Sequence, residues 1–127
     1  MILTIDQCYD ILDRLVEEYP EALFQDLNGG ILLLEEALPD PEAGEDVYIM
    51  GEYCWDEMGR YIYLYYGSFV ELLSEEDESV WEEELRLTLR HELTHHIEGM
   101  AGEKSLEYKD SEQLQSFREQ NWTESEN

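Results

Sequence analysis

Apolar positions in the chain follow two different spacings, and the change between them predicts the order of helices and strands. Near the N-terminus, apolar residues recur every three or four positions, which predicts an amphipathic helix capped by Thr4 or Asp6 and ending before Pro20. A second short helical segment, PEALFQDL, starts at Pro20 and stops at the Asn-Gly-Gly of residues 28–30. The first thirty residues are therefore expected to be mainly helical.

The middle of the chain is rich in β-branched and aromatic residues, which predicts strands. Three segments fit this pattern: ILLLEE (31–36), DVYIMGEY (46–53) and RYIYLYYGSF (60–69), the last two joined as a hairpin by CWDEMG. In the last segment, the tyrosines at 61, 63 and 65 share one face, and Ile62, Leu64 and Tyr66 share the other. The alternation alone does not decide which set faces the core.

The longest helical pattern runs from about Ser79 to Met100, with Asp77 or Ser79 as its cap and Gly99 and Gly102 at its end. Its apolar stripe contains Trp81, Leu85, Leu89, Leu93 and Ile97. A last helix is expected from Asp110, and residues 122–127 are expected to be frayed. Together these elements predict one α+β domain over residues 1–127. A short mixed sheet of about three strands packs on the N-terminal helix and the long helix, with a C-terminal helix added.

Acidic residues dominate the composition and narrow the range of partners. The chain has 33 Asp and Glu against 7 Lys and Arg, which disfavours binding to nucleic acid and to anionic membrane surfaces. We expect a cytoplasmic protein, because no apolar run approaches the roughly 20 residues that cross a bilayer and no secretory leader pattern is present. Cys8 and Cys54 have no metal-knuckle or disulfide spacing and are expected to be reduced, partly buried thiols. The sequence does not indicate an oligomeric state.

All three histidines lie within six positions, in the segment RHELTHHIEG of the long helix. His91 and His95 are four residues apart, so their rings project from one helix face and their nitrogens can converge on one cation. Glu92 follows His91 at about 100° around the helix, which places it beside the metal and within reach of a water on it. This HExxH pattern predicts a Zn²⁺ site in which Glu92 is the general base and acid.

Catalytic zinc usually has a third protein ligand, and the compact HExxHxxGxxH arrangement is excluded because Ala101 occupies the position of its last histidine. His96 lies about 100° around the helix from His95 and is expected to be a packed or supporting residue rather than a ligand. The remaining candidates are carboxylates downstream, among which Asp110 is preferred because the intervening stretch is long enough to reverse the chain. The alternatives are Glu112, Glu103, Glu107 and Glu98.

The segments VYIMGEY, GRYIYLYYGSF and LRLTLRHELTHHIEG resemble the small bacterial minimal zincin-like metallopeptidases, over roughly residues 30–115. The resemblance implies a small α+β domain in which a helix-borne HExxH lies beneath a short sheet, and a metal-dependent peptidase activity. By the same match, the acidic metal ligand falls on Asp110. It also suggests RYIYLYYGSF as the edge strand along which a peptide substrate lies.

Tyr63 or Tyr65 could stabilise the oxyanion that forms when water attacks a carbonyl, although tyrosine-rich strands more often serve packing. The predicted function is a zinc-dependent metallopeptidase whose partner is a peptide or protein substrate. A metal-dependent amidase would use the same residues. The alternative from another class is a catalytically weak or inactive metal-binding module of zincin fold that acts in protein–protein interaction.

Overall fold

The computed structural model describes residues 1–44, 46–57 and 59–105, and side chains up to residue 102. Three α-helices and a short mixed sheet of three strands account for most of these residues, which confirms the predicted α+β class. The elements in chain order are α1 (Ile5–Val16), a 3-10 helix (Glu21–Phe24), β1 (Gly30–Leu34), β2 (Leu38–Pro39), β3 (Tyr48–Ile49), β4 (Gly51–Asp56), β5 (Gly59–Tyr65), α2 (Tyr66–Leu73) and α3 (Glu78–Ser105). The predicted helix from Asp110 and the tail at 122–127 lie outside the described residues.

Helix α1 begins at the first of its two predicted caps. The Thr4 hydroxyl accepts a hydrogen bond from the backbone N–H of Gln7, and the Gln7 side chain accepts one from the N–H of Thr4, a reciprocal capping box. The helix ends at Val16, earlier than its apolar pattern suggested, and its apolar face buries Cys8, Ile11, Leu12 and Leu15. The chain then passes through a single turn of 3-10 helix.

The three-stranded sheet has the order β1-β5-β4, with β1 parallel and β4 antiparallel to β5. Ile62 and Leu64 of β5 are fully buried in the main hydrophobic cluster, so this set faces the core. In the tyrosine set, Tyr65 is also buried, at 6% exposure, while Tyr61 and Tyr63 are half-buried. On the neighbouring strand β4, Tyr53 pairs with Ile62 and Gly51 pairs with Leu64. Helix α3 packs on this same face, as the position of Gly51 shows: a Cβ there would lie 2.7 Å from the Thr88 methyl of α3.

Two features of the predicted strand over residues 60–69 are wrong. The strand ends at Tyr65, and residues 66–69 form the first turn of α2, so Tyr66 does not continue the alternating pattern. The strand is also central in the sheet and not at its edge. In the first turn of this helix Gly67 lies against the backbone of residues 35–37: its N–H donates to the Glu36 carbonyl at 3.1 Å, and a Cβ would overlap the backbone nitrogen of Ala37.

Helix α3 contains the histidine segment and extends further than predicted. Asp77 caps it, since its carboxylate accepts hydrogen bonds from the Val80 N–H and the Ser79 hydroxyl. These bonds hold the pKa of Asp77 below its usual value, chiefly the one from Ser79. The helix continues through Gly99 and Gly102 to Ser105, because a helical glycine costs only about 1 kcal/mol and does not by itself end a helix.

The buried stripe of α3 departs from the predicted one at its end. Trp81, Leu85 and Leu89 are fully buried, but Ile97 is 39% exposed. Each step of four residues turns the side chain by about 40° around the axis, so four such steps carry Ile97 away from the core. His96, reached by a step of three from Leu93, is buried in its place, at 1% exposure.

Candidate metal centre

His91 and His95 form the centre of the candidate site on α3. Their Nε2 atoms lie 3.1 Å apart, and their rings meet edge to face with centroids 4.5 Å apart. His95 is almost fully buried and His91 is half-buried. The four-residue spacing in a continuous helix therefore brings two imidazole nitrogens to one point, as the sequence suggested.

The spacing of the two nitrogens fits a shared zinc ion. Two nitrogens bound to one tetrahedral Zn²⁺ at about 2.0–2.1 Å lie about 3.3 Å apart, close to the observed 3.1 Å. Imidazole nitrogen is also a donor that zinc prefers. The same distance suits an N–H···N hydrogen bond in which one ring donates and the other accepts, so a metal-binding measurement distinguishes the two arrangements.

Two glutamates accompany the histidine pair. Glu92 is buried, with 1% exposure, in the position after His91. Glu98 lies behind His95: its Oε1 is 3.7 Å from Nδ1, the ring nitrogen opposite the one that faces His91. A carboxylate at this position favours a proton on Nδ1 and leaves the Nε2 lone pair for a metal. Glu98, which the sequence offered as an alternative third ligand, thus lies where it can orient the His95 ring.

His96 belongs to a separate buried contact. The backbone carbonyl of Gln25 lies 2.8 Å from His96 Nε2, and the Tyr53 hydroxyl lies 2.9 Å from His96 Nδ1. Because a carbonyl only accepts, Nε2 carries the proton and donates, while Nδ1 accepts from the Tyr53 hydroxyl. Both ring nitrogens are therefore occupied by contacts that tie α3 to β4 and to the end of the 3-10 helix. The sequence did not single out Tyr53.

The structure does not bring Tyr63 and Tyr65 together with the histidine pair. On β5 these residues alternate with Ile62 and Leu64, which face α3, so both tyrosines lie on the opposite face of the sheet. The Tyr65 hydroxyl donates to Glu52 Oε1 at 3.0 Å. Their suggested part in stabilising an oxyanion is therefore not supported by their position.

The preferred third ligand, Asp110, lies outside the described residues, as do Glu107 and Glu112. The side chain of Glu103 is likewise not among those described. Within the part of the chain that the structure describes, no group of three His, Cys, Asp or Glu side chains is arranged to hold a metal ion. Asp110 therefore remains a prediction.

The two cysteines do not form a disulfide: Cys8 is buried, and the Cys54 thiol donates to Glu52 Oε1 at 3.8 Å. Burial raises the pKa of the Cys8 thiol to about 11, so this thiol stays protonated and unreactive at neutral pH. In the described ranges, no helix is both long and apolar enough to cross a membrane.

One solved structure is similar to this chain over most of both lengths. It is described as a conserved hypothetical protein from Thermo thermophilus, with 38% sequence identity and a TM-score of 0.67. The similarity covers 78% of this chain and 98% of that chain. This chain belongs to the same family as that protein. No family model matches the chain, and no curated protein matches it. Because the description of the relative names no activity, a function has to be inferred from the site itself.

Proposed function

We propose that the protein is a zinc-dependent peptidase of zincin type, in which His91 and His95 on α3 hold the ion. The observation that carries this proposal is the convergence of the two Nε2 atoms at 3.1 Å on one side of the helix. Asp110 completes the ligand set in the proposal. Bound zinc supplies Lewis-acid activation of a water and of a peptide carbonyl.

The remaining steps belong to the chain's own carboxylates. Glu92 directly follows His91 and takes the proton from the attacking water, then returns it to the leaving amine nitrogen. The residue is 1% exposed, so the fold holds this carboxylate away from bulk water. Glu98, at 3.7 Å from His95 Nδ1, holds the His95 ring in orientation.

The strand available to an extended substrate is β4 rather than β5. In the described ranges β4 pairs only with β5 and forms one edge of the sheet. The opposite edge strand, β1, is partly covered by α1, because the Leu33 N–H donates to the Tyr9 hydroxyl at 2.9 Å. Tyr53 of β4 contacts His96, so β4 packs against the histidine segment of α3. A peptide added along β4 would extend the sheet by main-chain hydrogen bonds.

Zinc content and peptide cleavage together test the proposal. The full chain is loaded with zinc and incubated with a pool of unstructured peptides of mixed sequence, and the products are identified by mass spectrometry. Glu92→Gln is expected to bind zinc as the wild type does and to lose about 100-fold or more of the cleavage rate, since only the proton transfer is removed. Glu78→Gln, the same change at the exposed start of α3, serves as the matched control.

Equal cleavage by the wild type and Glu92→Gln would contradict the catalytic assignment. Stoichiometric zinc with no cleavage in either protein would instead favour the metal-binding interaction module.

A further inference from the structure

The face of the sheet opposite α3 presents aromatic and aliphatic side chains in cross-strand rows. Leu32, Tyr63 and Glu52 are direct neighbours across β1, β5 and β4, and Tyr61 and Cys54 form the next row. Leu32 is 42% exposed and both tyrosines are half-buried. We call this surface the tyrosine face, and it consists of Leu32, Glu52, Cys54, Asp56, Tyr61 and Tyr63.

The two tyrosine rings are fixed side by side. Their centroids are 4.9 Å apart and their planes are tilted by 52°. The Tyr61 hydroxyl donates to Asp56 Oδ2, which anchors one ring to the end of β4. An aromatic ring held at the surface is a pre-ordered contact for a cation, because the face of the ring carries the negative part of its quadrupole.

The charged side chains that the three described strands place on this surface are all negative. Glu52 and Asp56 lie on the tyrosine face itself, and Glu36, which follows β1, is close enough to act on Tyr65. Burial, with the charges of Glu52 and Glu36, raises the pKa of Tyr65. The strands carry one basic residue, Arg60, and its guanidinium stacks on Trp55 at 4.3 Å on the other face.

A second copy of the chain does not suit this surface. Each copy would bring the same carboxylates to the contact, and the net charge of -26 opposes the approach of two chains. Arginine and lysine side chains match both properties of the surface, since their stems cover apolar atoms while their charged ends meet rings and carboxylates.

We propose that the tyrosine face is a docking surface for a Lys- or Arg-rich segment of another protein. A basic side chain lies over the ring of Tyr63, next to the carboxylate of Glu52 on the neighbouring strand, and the stem of that side chain or an adjacent apolar residue covers Leu32. Because α3 packs on the other side of the sheet, this surface is distinct from the histidine pair.

Binding of a defined peptide to the full chain tests the surface. The probe is a short fluorescent peptide in which every third residue is arginine, and the reference is the same peptide with glutamine at those positions. Fluorescence anisotropy at physiological salt is expected to show binding of the arginine peptide alone. Tyr63→Ala should weaken binding about 10-fold, whereas Tyr63→Phe should retain it, since the ring and not the hydroxyl makes the contact.

Three further variants separate the effect of this surface from the effect of total charge. Glu52→Gln is expected to weaken binding several-fold, and Glu17→Gln, which removes the same charge at an exposed position on the end of α1, should leave it near the wild-type value. Leu32 is exposed, so Leu32→Lys needs no repacking of the core. This variant should bind the peptide about 10-fold more weakly, because the added positive charge repels the arginine side chains.

Several results would overturn the proposal. They are equal affinity of Tyr63→Ala and wild type, an equal loss in Glu17→Gln and Glu52→Gln, and no binding of the arginine peptide by the full chain. The first two would mean that the peptide responds only to total charge. The third would mean that the surface is closed to basic segments by another part of the chain or by a second copy.

Discussion

Removing the Tyr53 hydroxyl tests whether His96 supports the fold rather than the metal. Tyr53 and His96 are 3% and 1% exposed, and the hydroxyl is 2.9 Å from Nδ1 of the ring. In Tyr53→Phe this nitrogen loses its donor, while the Gln25 carbonyl still accepts from Nε2. The change deletes one oxygen and leaves the aromatic packing of the two rings, whose centroids are 5.4 Å apart.

The expected cost follows from the burial of both partners. A buried acceptor left without its hydrogen bond costs about 1–3 kcal/mol, and we expect about 2 kcal/mol because little space is opened for water. For a chain of this size about 1 kcal/mol changes Tm by roughly 4 °C, so the midpoint should fall by about 8 °C. Tyr63→Phe deletes the same atom on the half-buried outer face and should change the stability by less than about 0.5 kcal/mol.

Thermal unfolding and urea unfolding, each followed by circular dichroism with chelator and again with zinc, measure both effects. If His96 is not a ligand, zinc should stabilise Tyr53→Phe by the same increment as the wild type, although both of its midpoints are lower. A loss below about 0.5 kcal/mol would refute the structural role. Disappearance of the zinc increment would show that this contact acts at the metal.

Two other substitutions test the packing of α3 and the role of Glu98. Gly51→Ala should destabilise the protein by about 1–3 kcal/mol, because the added Cβ would lie 2.7 Å from the Thr88 methyl group of α3. In Gly99→Ala the added Cβ meets only ordinary contacts, at 3.7 Å or more, so this variant should be as stable as the wild type or more stable. Thermal unfolding measures both. Glu98→Gln should weaken zinc affinity about 10-fold by releasing the His95 ring, whereas the control Glu78→Gln should bind zinc as the wild type does. Competition with a chelating dye measures these affinities, and equal affinity of Glu98→Gln and the wild type would refute the role of Glu98.

Much of the fold follows from local sequence patterns. The Thr4 cap, the apolar spacing of α1 and α3, and the alternation in β5 are properties of a few neighbouring residues, and each predicted its element. The order of the strands was not predictable in the same way. Nothing within residues 60–65 indicates that β1 pairs on one side and β4 on the other, because those contacts join distant parts of the chain.

The start of α2 was missed for a related reason. Residues 66–69, Tyr-Gly-Ser-Phe, continue an aromatic segment in the sequence, but in the fold they begin a helix in which Gly67 lies against the backbone of residues 35–37.

In the candidate site too, local features were predictable from the sequence and contacts between distant residues were not. The pairing of His91 and His95 is local, since one helical turn determines it, and the sequence predicted it directly. The contacts of His96 with Tyr53 and Gln25 span 43 and 71 residues, so no short motif could reveal them. The position of Glu98 could have been suspected, because it is three residues from His95 on the same helix.

X-ray absorption at the zinc edge of the zinc-loaded full chain tests the histidine pair most directly. We predict one zinc per chain whose first shell includes two imidazole nitrogens at about 2.0–2.1 Å, and loss of that ion in His95→Ala. A chain that retains no zinc after dialysis, or a zinc shell without imidazole scattering, would contradict the metal site on α3.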